Sequence, residues 1–259
     1  MGQMANSMPA KRQQNIMEYL NIRRSITIKE AADLCKVSEA TARRDLDELS
    51  GMGFLERTYG GAVLERGTGF EREHDEKMKI MIPEKARIAQ KAAGLIKNGC
   101  SIFLDSGTTT LLLARMLQGF QNLTVVTHNL DIAYSIKLDK SSTLIVTGGI
   151  RRDGYSVLIG QIAEELVNRL SLDMAFLGAD AINPNYGVFN SNFVEIGIKR
   201  SAIACGKHRI LLSDHTKFQT KALTKVCDIE EFETVITDDG IDEETKEILR
   251  NKSVNLITA

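Results

Sequence analysis

A chain of 259 residues is long enough for a sizeable core and suits two domains or one large one. Its 43% hydrophobic and 26% charged residues are those of a globular protein, and no apolar run nears the roughly 20 residues a membrane span needs. A formal net charge of -1 gives no global basic signature of nucleic-acid binding. The scattered Cys35, Cys100, Cys205 and Cys227, with no CxxC pair, argue for free thiols in a reducing cytoplasm and against zinc.

Residues 1–9 lack the apolar stretch of a signal peptide and read as a disordered lead-in. Ile16, Tyr19 and Leu20 then predict a helix ending near Ile22. Thr27-Ile28-Lys29-Glu30 has capping-box spacing, and Ile28, Ala31, Ala32 and Cys35 make a narrow apolar stripe behind it. Only Lys36 and Val37 separate this short helix from Ser38, a good N-cap for the next one. Ala42, Leu46 and Leu49 fall on one face of that helix. Ala40, Arg43, Arg44 and Asp47 fall on the other, with Thr41 near its start.

Two helices joined by so tight a turn match a helix-turn-helix. Arginines and a threonine in the first turns of the second helix suit phosphate oxygens and base edges. Gly51 and Gly53 stop the helix, 54–58 reads as a short strand, and Gly60-Gly61 as a tight turn into another. Taken alone, the arginine pair reads more readily as a solvated helix face ahead of an ordinary hairpin. Over residues 1–66, ten Lys/Arg stand against nine Asp/Glu. Any electrostatic case for DNA therefore rests on the placement of Arg23, Arg24, Arg43, Arg44 and Arg57.

At this point the chain resembles the N-terminal domain of DeoR-type bacterial transcription regulators. The resemblance lies in the pattern VS-x-x-T-x-RRDL-x-x-L over residues 37–49 and the wing pattern L-x-R-x-x-GGA over 55–62. It implies DNA contacts from Ser38, Ala40, Thr41, Arg43 and Arg44 on the recognition helix, and from Arg57, Tyr59, Gly60 and Gly61 on the wing. Ala42 stands where this family usually has a larger aliphatic residue, and Tyr59 replaces its common histidine.

Residues 65–82 are polar, charge-dense and glycine-containing, and read as a linker that becomes helical at its end. Pro83 suits the first turn of a helix whose apolar face is Ile88, Ala92, Leu95 and Ile96, closed by Asn98-Gly99. Strands are predicted over 101–105, 123–127, 143–147, 173–178, 209–213, 234–237 and 254–257. Helices are predicted after 105, from about Asn129, and over 161–170, 193–205 and 242–251. Such alternation predicts an α/β domain with a mostly parallel sheet. The division is thus residues 1–64 as a small winged helix-turn-helix domain, 65–82 as linker and 83–259 as an α/β domain.

Ligands of open α/β sheets sit at the carboxyl ends of strands. Asp105-Ser106-Gly107-Thr108-Thr109-Thr110 leaves a strand and enters a helix there, with close backbone approach at Gly107 and a helix N-terminus that favours an anion. A phosphate cradle and a plain Ser/Thr-rich cap both fit, while the missing Gly-Lys-Ser/Thr argues against a nucleotide P-loop. Gly148-Gly149 is a second cradle or a plain turn. Thr127 and Asn129 could bond a polyol or simply cap the next helix.

The stretches FLDSGTT from Phe103, VVTHNL from Val125, VTGG from Val146, LDMAFLGAD from Leu172, Glu195 with Lys199, and SDHTKF from Ser213 resemble the effector domain of the same DeoR family. The resemblance implies a fold shared with ribose-5-phosphate isomerase-like domains, binding a phosphorylated sugar or related metabolite that changes DNA affinity. Asp105, Ser106, Gly107, Thr108 and Thr109 would then meet the phosphate side, with Thr127, Asn129, Gly148, Glu195 and Lys217 nearer the polyol end. His128 interrupts the family's usual Thr-Asn order, and Ile196-Gly197 stands where many relatives have Glu-Ala. By themselves, Glu195 and Lys217 are equally a solvated helix residue and a surface charge.

The expected function is a cytoplasmic DNA-binding repressor of carbohydrate genes, without cofactor or metal, released from operator DNA by its effector and assembled as a homodimer or homotetramer. The alternatives are a sugar-phosphate isomerase or deaminase with an appended N-terminal domain, or an activator built from the same parts. An isomerase would need Asp105, Glu195 or Lys217 as a positioned base, and would leave residues 37–62 unexplained.

Overall fold

The computed structural model describes residues 9–23, 25–51, 55–63 and 74–259. Of the lead-in expected over 1–9, Pro9 is helical and 1–8 lie outside the described residues, as do Arg24, the stop at Gly53, the strand start at 54, Leu64 and linker residues 65–73. The chain divides into two compact units, Met1–Gly67 and Thr68–Ala259.

The first unit comprises α1 (Pro9–Arg23), β1 (Ser25–Thr27), α2 (Ile28–Cys35), α3 (Glu39–Gly51), β2 (Glu56–Thr58) and β3 (Gly61–Val63). The capping box forms as its spacing predicts. Glu30 N–H donates to Thr27 Oγ1 at 3.1 Å and Thr27 N–H to Glu30 Oε2 at 2.8 Å, satisfying donors that α2 itself cannot. Lys36 turns left-handed at φ 54° and ends α2, and Ser38 Oγ accepts from Thr41 N–H at 3.2 Å to start α3. The stripe Ile28, Ala31, Ala32 and Cys35 packs against Ala42, Leu46 and Leu49 of α3 and Ile16 and Leu20 of α1.

Strand β1 is absent from the sequence reading; it pairs antiparallel with β3, which pairs with β2. The hairpin turn is Tyr59-Gly60, and Gly61 is already the first residue of β3. Gly61 is needed there because a Cβ would sit 2.0 Å from the Ile26 carbonyl oxygen.

The second unit opens with α4 (His74–Met78) and α5 (Ile82–Ala93), which ends at Gly94 rather than at Asn98-Gly99. Then follow β4 (Ser101–Leu104), α6 (Thr108–Arg115), β5 (Thr124–Thr127), α7 (Leu130–Ser135) and β6 (Thr143–Val146). After these come β7 (Ile150–Arg151), β8 (Leu158–Ile159), α8 (Gln161–Asn168), β9 (Leu172–Leu177), β10 (Ala181–Asn183) and β11 (Gly187–Asn190). Last are α9 (Ile196–Cys205), β12 (Gly206–Leu212), β13 (Thr224–Cys227), β14 (Thr234–Thr237), α10 (Glu243–Asn251) and β15 (Asn255–Thr258).

Seven strands form a parallel sheet in the order β15-β14-β12-β9-β4-β5-β6. Alternate residues feed opposite cores, as a sheet covered on both faces requires. Ile102, Leu104, Val125 and Phe176 meet Ile88 and Ala92 of α5, Leu113 of α6 and Ile132 of α7. Phe103, Val126, Ala175 and Leu177 meet Val167 of α8, Ala202 of α9 and Leu249 of α10. The order reverses between β4 and β9. From β4 the chain steps outward through β5 and β6, then returns to β9 on the other side of β4 and continues to β15. Their carboxyl ends therefore flank a topological switch point, where the connecting loops part and leave a crevice. All four cysteines are free thiols.

Candidate functional site

On the first unit, α3 buries Ala42, Asp45, Leu46 and Leu49 and leaves Ala40, Arg43, Arg44 and Asp47 exposed. The buried face has one charged member that the periodicity does not foretell. Asp45 is 2% exposed and meets the Arg12 guanidinium side-on, at 2.7 Å to Nε and 2.8 Å to Nη2, which fixes α1 to the middle of α3. Such a fork-to-carboxylate pair is directional as well as charged. Ser38 is committed to the cap and Thr41 Oγ1 lies 3.0 Å from its hydroxyl. Tyr59 stands fully exposed at the hairpin tip, and the Gly60 carbonyl accepts the Ile28 N–H at 2.9 Å. Arg57 turns inward: Nε donates to Asp47 at 2.7 Å and Nη1 to the Gly61 carbonyl.

On the second unit, a cavity opens at the switch point. Of the expected effector contacts, Ser106, Gly107, Thr108, Thr109, Asn129, Glu195 and Lys217 line it together. Gly107 takes φ +153°, which favours glycine, and precedes α6. The Leu111 N–H bonds the Gly107 carbonyl, so the amides ahead of it have no acceptor within the helix and form a natural anion cradle. Asn129 Oδ1 accepts from Ile132 N–H at 2.8 Å, so it caps α7 while lining the cavity.

Asp105, Thr127 and Gly148 do not join that lining. Asp105 is wholly buried beneath the loop, where it takes the Lys199 ammonium, faces His128 Nε2 at 3.1 Å and accepts the Gly178 N–H at 2.9 Å. Burial would raise its pKa, but the Lys199 charge and the His128 contact outweigh that and hold it at about 2. Burial likewise opposes the Lys199 charge, yet the Asp105 and Glu195 carboxylates raise its pKa. Thr127 Oγ1 donates to the Leu104 carbonyl at 2.8 Å, a contact that joins β5 to β4. Gly148 turns at φ +70° beside Ile162, so its left-handed turn follows β6 outside the cavity.

Further residues of the lining include Lys77 and Lys85 from α4 and α5, Tyr155 from the β7–β8 ribbon, Asp180 after β9, Lys199 of α9 and Asp214 after β12. Lys77 pairs with Asp180 at 2.8 Å. Burial works against the Asp180 charge, but the Lys77 and Lys217 charges keep its pKa well below the usual carboxylate range. Arg152 donates to Glu195 at 2.5 Å and lies 3.6 Å over the Tyr155 ring, so the ribbon is fastened to the start of α9. The spacing Arg152-x-x-Tyr155 just beyond Gly148-Gly149 is the one sequence signal that could have marked this ribbon. Among the described residues, no group of three or more His, Cys, Asp or Glu could hold a metal ion.

Comparison with known proteins follows the same division. A DeoR-like helix-turn-helix domain matches residues 12–68, and a DeoR C terminal sensor domain matches 81–239. The chain is 32% identical to the HTH-type transcriptional regulator YgbI of Escherichia coli K12, over 97% of this chain and 98% of that one. The chain belongs to the DeoR family of transcription regulators.

Other DeoR-family relatives have more specific names. The glycerol-3-phosphate regulon repressor of E. coli K12 is 31% identical, over 88% of this chain and 90% of its own. The transcriptional repressor AccR of Agrobacterium fabrum is 32% identical, over 94% and 96%. Among solved structures the chain is similar to a ribose-5-phosphate isomerase in complex with phospho-erythronic acid, at 18% identity over 51% of this chain and 52% of that one. With a TM-score of 0.37, that likeness has no bearing on function. The exposed Arg43 and Arg44 lie within the matched helix-turn-helix domain, and all of the cavity's lining residues except Lys77 and Ile80 lie within the matched sensor domain.

Proposed function

We propose that this DeoR-family regulator is a cytoplasmic, homo-oligomeric repressor of carbohydrate genes, and that a phosphorylated sugar or related metabolite releases it from its operator. The effector's phosphate sits against Ser106 to Thr110 at the start of α6, and its hydroxyls face Asn129, Glu195 and Lys217. The observation that carries this reading is that these residues, drawn from four separate stretches of chain, line one cavity at the switch point. Relatives named as a glycerol-3-phosphate regulon repressor and a putative aga operon transcriptional repressor support the sign.

The chemistry of the site also favours sensing over turnover. A general base works best with a pKa near the operating pH and a lone pair aimed at the substrate. Asp105 is buried in an ion pair with a pKa of about 2, and Glu195 is held by Arg152. The test is a panel of sugar phosphates incubated with the full-length protein, with DNA retention and chemical turnover read from the same tubes. At least one compound is expected to reduce retention while being recovered unchanged. Turnover without any effect on retention would favour the enzyme reading instead.

A further inference from the structure

Arg57 lies on β2, on the hairpin of the winged unit, where a cation invites assignment as a phosphate contact. Its surroundings argue otherwise. The guanidinium presents its donors in a fixed planar fork, so the groups it meets determine its orientation. One arm, Nε, donates to Asp47 Oδ1 at 2.7 Å, and Nη1 donates to the carbonyl of Gly61. The side chain is only 25% exposed.

Asp47 is the more informative partner. It is 57% exposed and stands one turn after Arg43 and Arg44, on the same outward face of α3. A carboxylate on a face that approaches phosphates is unfavourable unless something compensates it. Exposed ion pairs contribute little to stability, so the effect of this pair lies in the geometry it fixes. The hairpin tip is held at two points: the Gly60 carbonyl accepts the Ile28 N–H at the base of α2, and Arg57 ties the Gly61 carbonyl to the middle of α3. These two ties fix where Tyr59, fully exposed between them, stands relative to Arg43 and Arg44.

We infer that Asp47 and Arg57 are positioning residues that set the wing against the recognition helix, and so contribute to sequence discrimination without Arg57 touching DNA. This rests on the DNA-binding reading and goes beyond it. The two roles predict opposite signs for one substitution. If Arg57 is a phosphate contact, Asp47→Asn frees it and removes a repelling charge, and binding tightens. If the pair positions the wing, Asp47→Asn loosens the wing and specific binding weakens.

The experiment selects the tightest duplex from random-sequence DNA with the full-length parent. It then titrates the parent, Asp47→Asn, Arg57→Ala, Arg57→Lys and Asp47→Ala/Arg57→Ala against that duplex and an unrelated one over a salt series. Each single variant is expected to lose about tenfold on the selected duplex, within the range of groups coupled in one hydrogen-bonded network, and the double variant to lose no more than either. The salt slope should stay at the parent's value, and Arg57→Lys should behave as Arg57→Ala because a lysine keeps the charge but not the fork. Should Arg57→Ala fail to fold, Arg57→Lys and Asp47→Asn still decide the matter. Tighter binding by Asp47→Asn, or a salt slope reduced by about one in Arg57→Ala, would overturn the inference. A parent that selects no duplex would overturn the DNA-binding reading as well.

Discussion

Lys199→Met removes a cation that lines the cavity and pairs with the buried Asp105. Asp105 is completely buried and Lys199 is 3% exposed, so neither charge has water to turn to when its partner is lost. Removing one member of a buried pair typically costs about 3–5 kcal/mol, a large share of the roughly 5–15 kcal/mol that holds a domain together. The pKa gives a second measure. A carboxylate normally near 3.8 sits at about 2 in the fold, worth about 2 kcal/mol by proton linkage.

Because the folded value is the lower one, this contribution is fully present above pH 3.8 and disappears as pH falls toward 2. In Lys199→Met the balance reverses, since burial, now less opposed, lifts the Asp105 pKa above its unfolded value. The variant's deficit should therefore be largest near neutral pH and shrink as acid protonates Asp105. Asp105→Asn/Lys199→Met, which removes both charges, should recover most of the loss. Denaturant unfolding of the full chain from pH 7 to pH 3 measures all three. A neutral-pH deficit below about 1 kcal/mol, or one that is independent of pH, would refute the reasoning.

Other predictions follow from the winged unit and from assembly. Arg43→Ala/Arg44→Ala should abolish specific operator binding in a gel-retardation assay while leaving the fold intact, each bidentate arginine–base pair being worth about 1–3 kcal/mol. Gly61→Ala should distort the β1–β3 pairing, because its methyl would overlap the Ile26 carbonyl, and nuclear magnetic resonance of the hairpin amides would show it. One helix-turn-helix reads only a half-site, so light scattering at micromolar concentration without DNA should give at least a dimer; a monomer would contradict the proposed assembly.

The long parallel strands were legible because residues such as Ile102, Phe103 and Leu104 form apolar runs bounded by turns, and both helices of the helix-turn-helix announced themselves through Thr27, Glu30 and Ser38. Strand β1, the β7–β8 ribbon and the antiparallel sheet β10-β11-β13 were not. They show no clear period, and β1 and β13 find their partners far along the chain. The same limit applies to side chains. Arg12 and Asp45 are 33 residues apart, and Lys199 and Asp105 are 94 apart, so local pattern reports neither pair. Thr127 and Gly148 follow the opposite logic. Each stands at a strand end where a ligand contact is plausible, yet one hydroxyl is used to join two strands and the glycine serves its own turn. Sequence placed these residues at the correct end of the sheet but could not say which of them face the cavity.

In the proposed mechanism, a phosphorylated effector seated on Ser106 to Thr110 controls operator affinity. Thr109 lines the cavity at the first turn of α6, so Thr109→Glu puts a negative charge where the phosphate should rest. The decisive measurement is operator affinity of the parent and of Thr109→Glu, with and without the sugar phosphate that releases the parent. The parent's affinity should fall by roughly 5–150-fold on adding effector, the usual span of such coupling, while the variant binds operator with or without it. Release of Thr109→Glu at the parent's effector concentration would place the phosphate elsewhere and contradict the account.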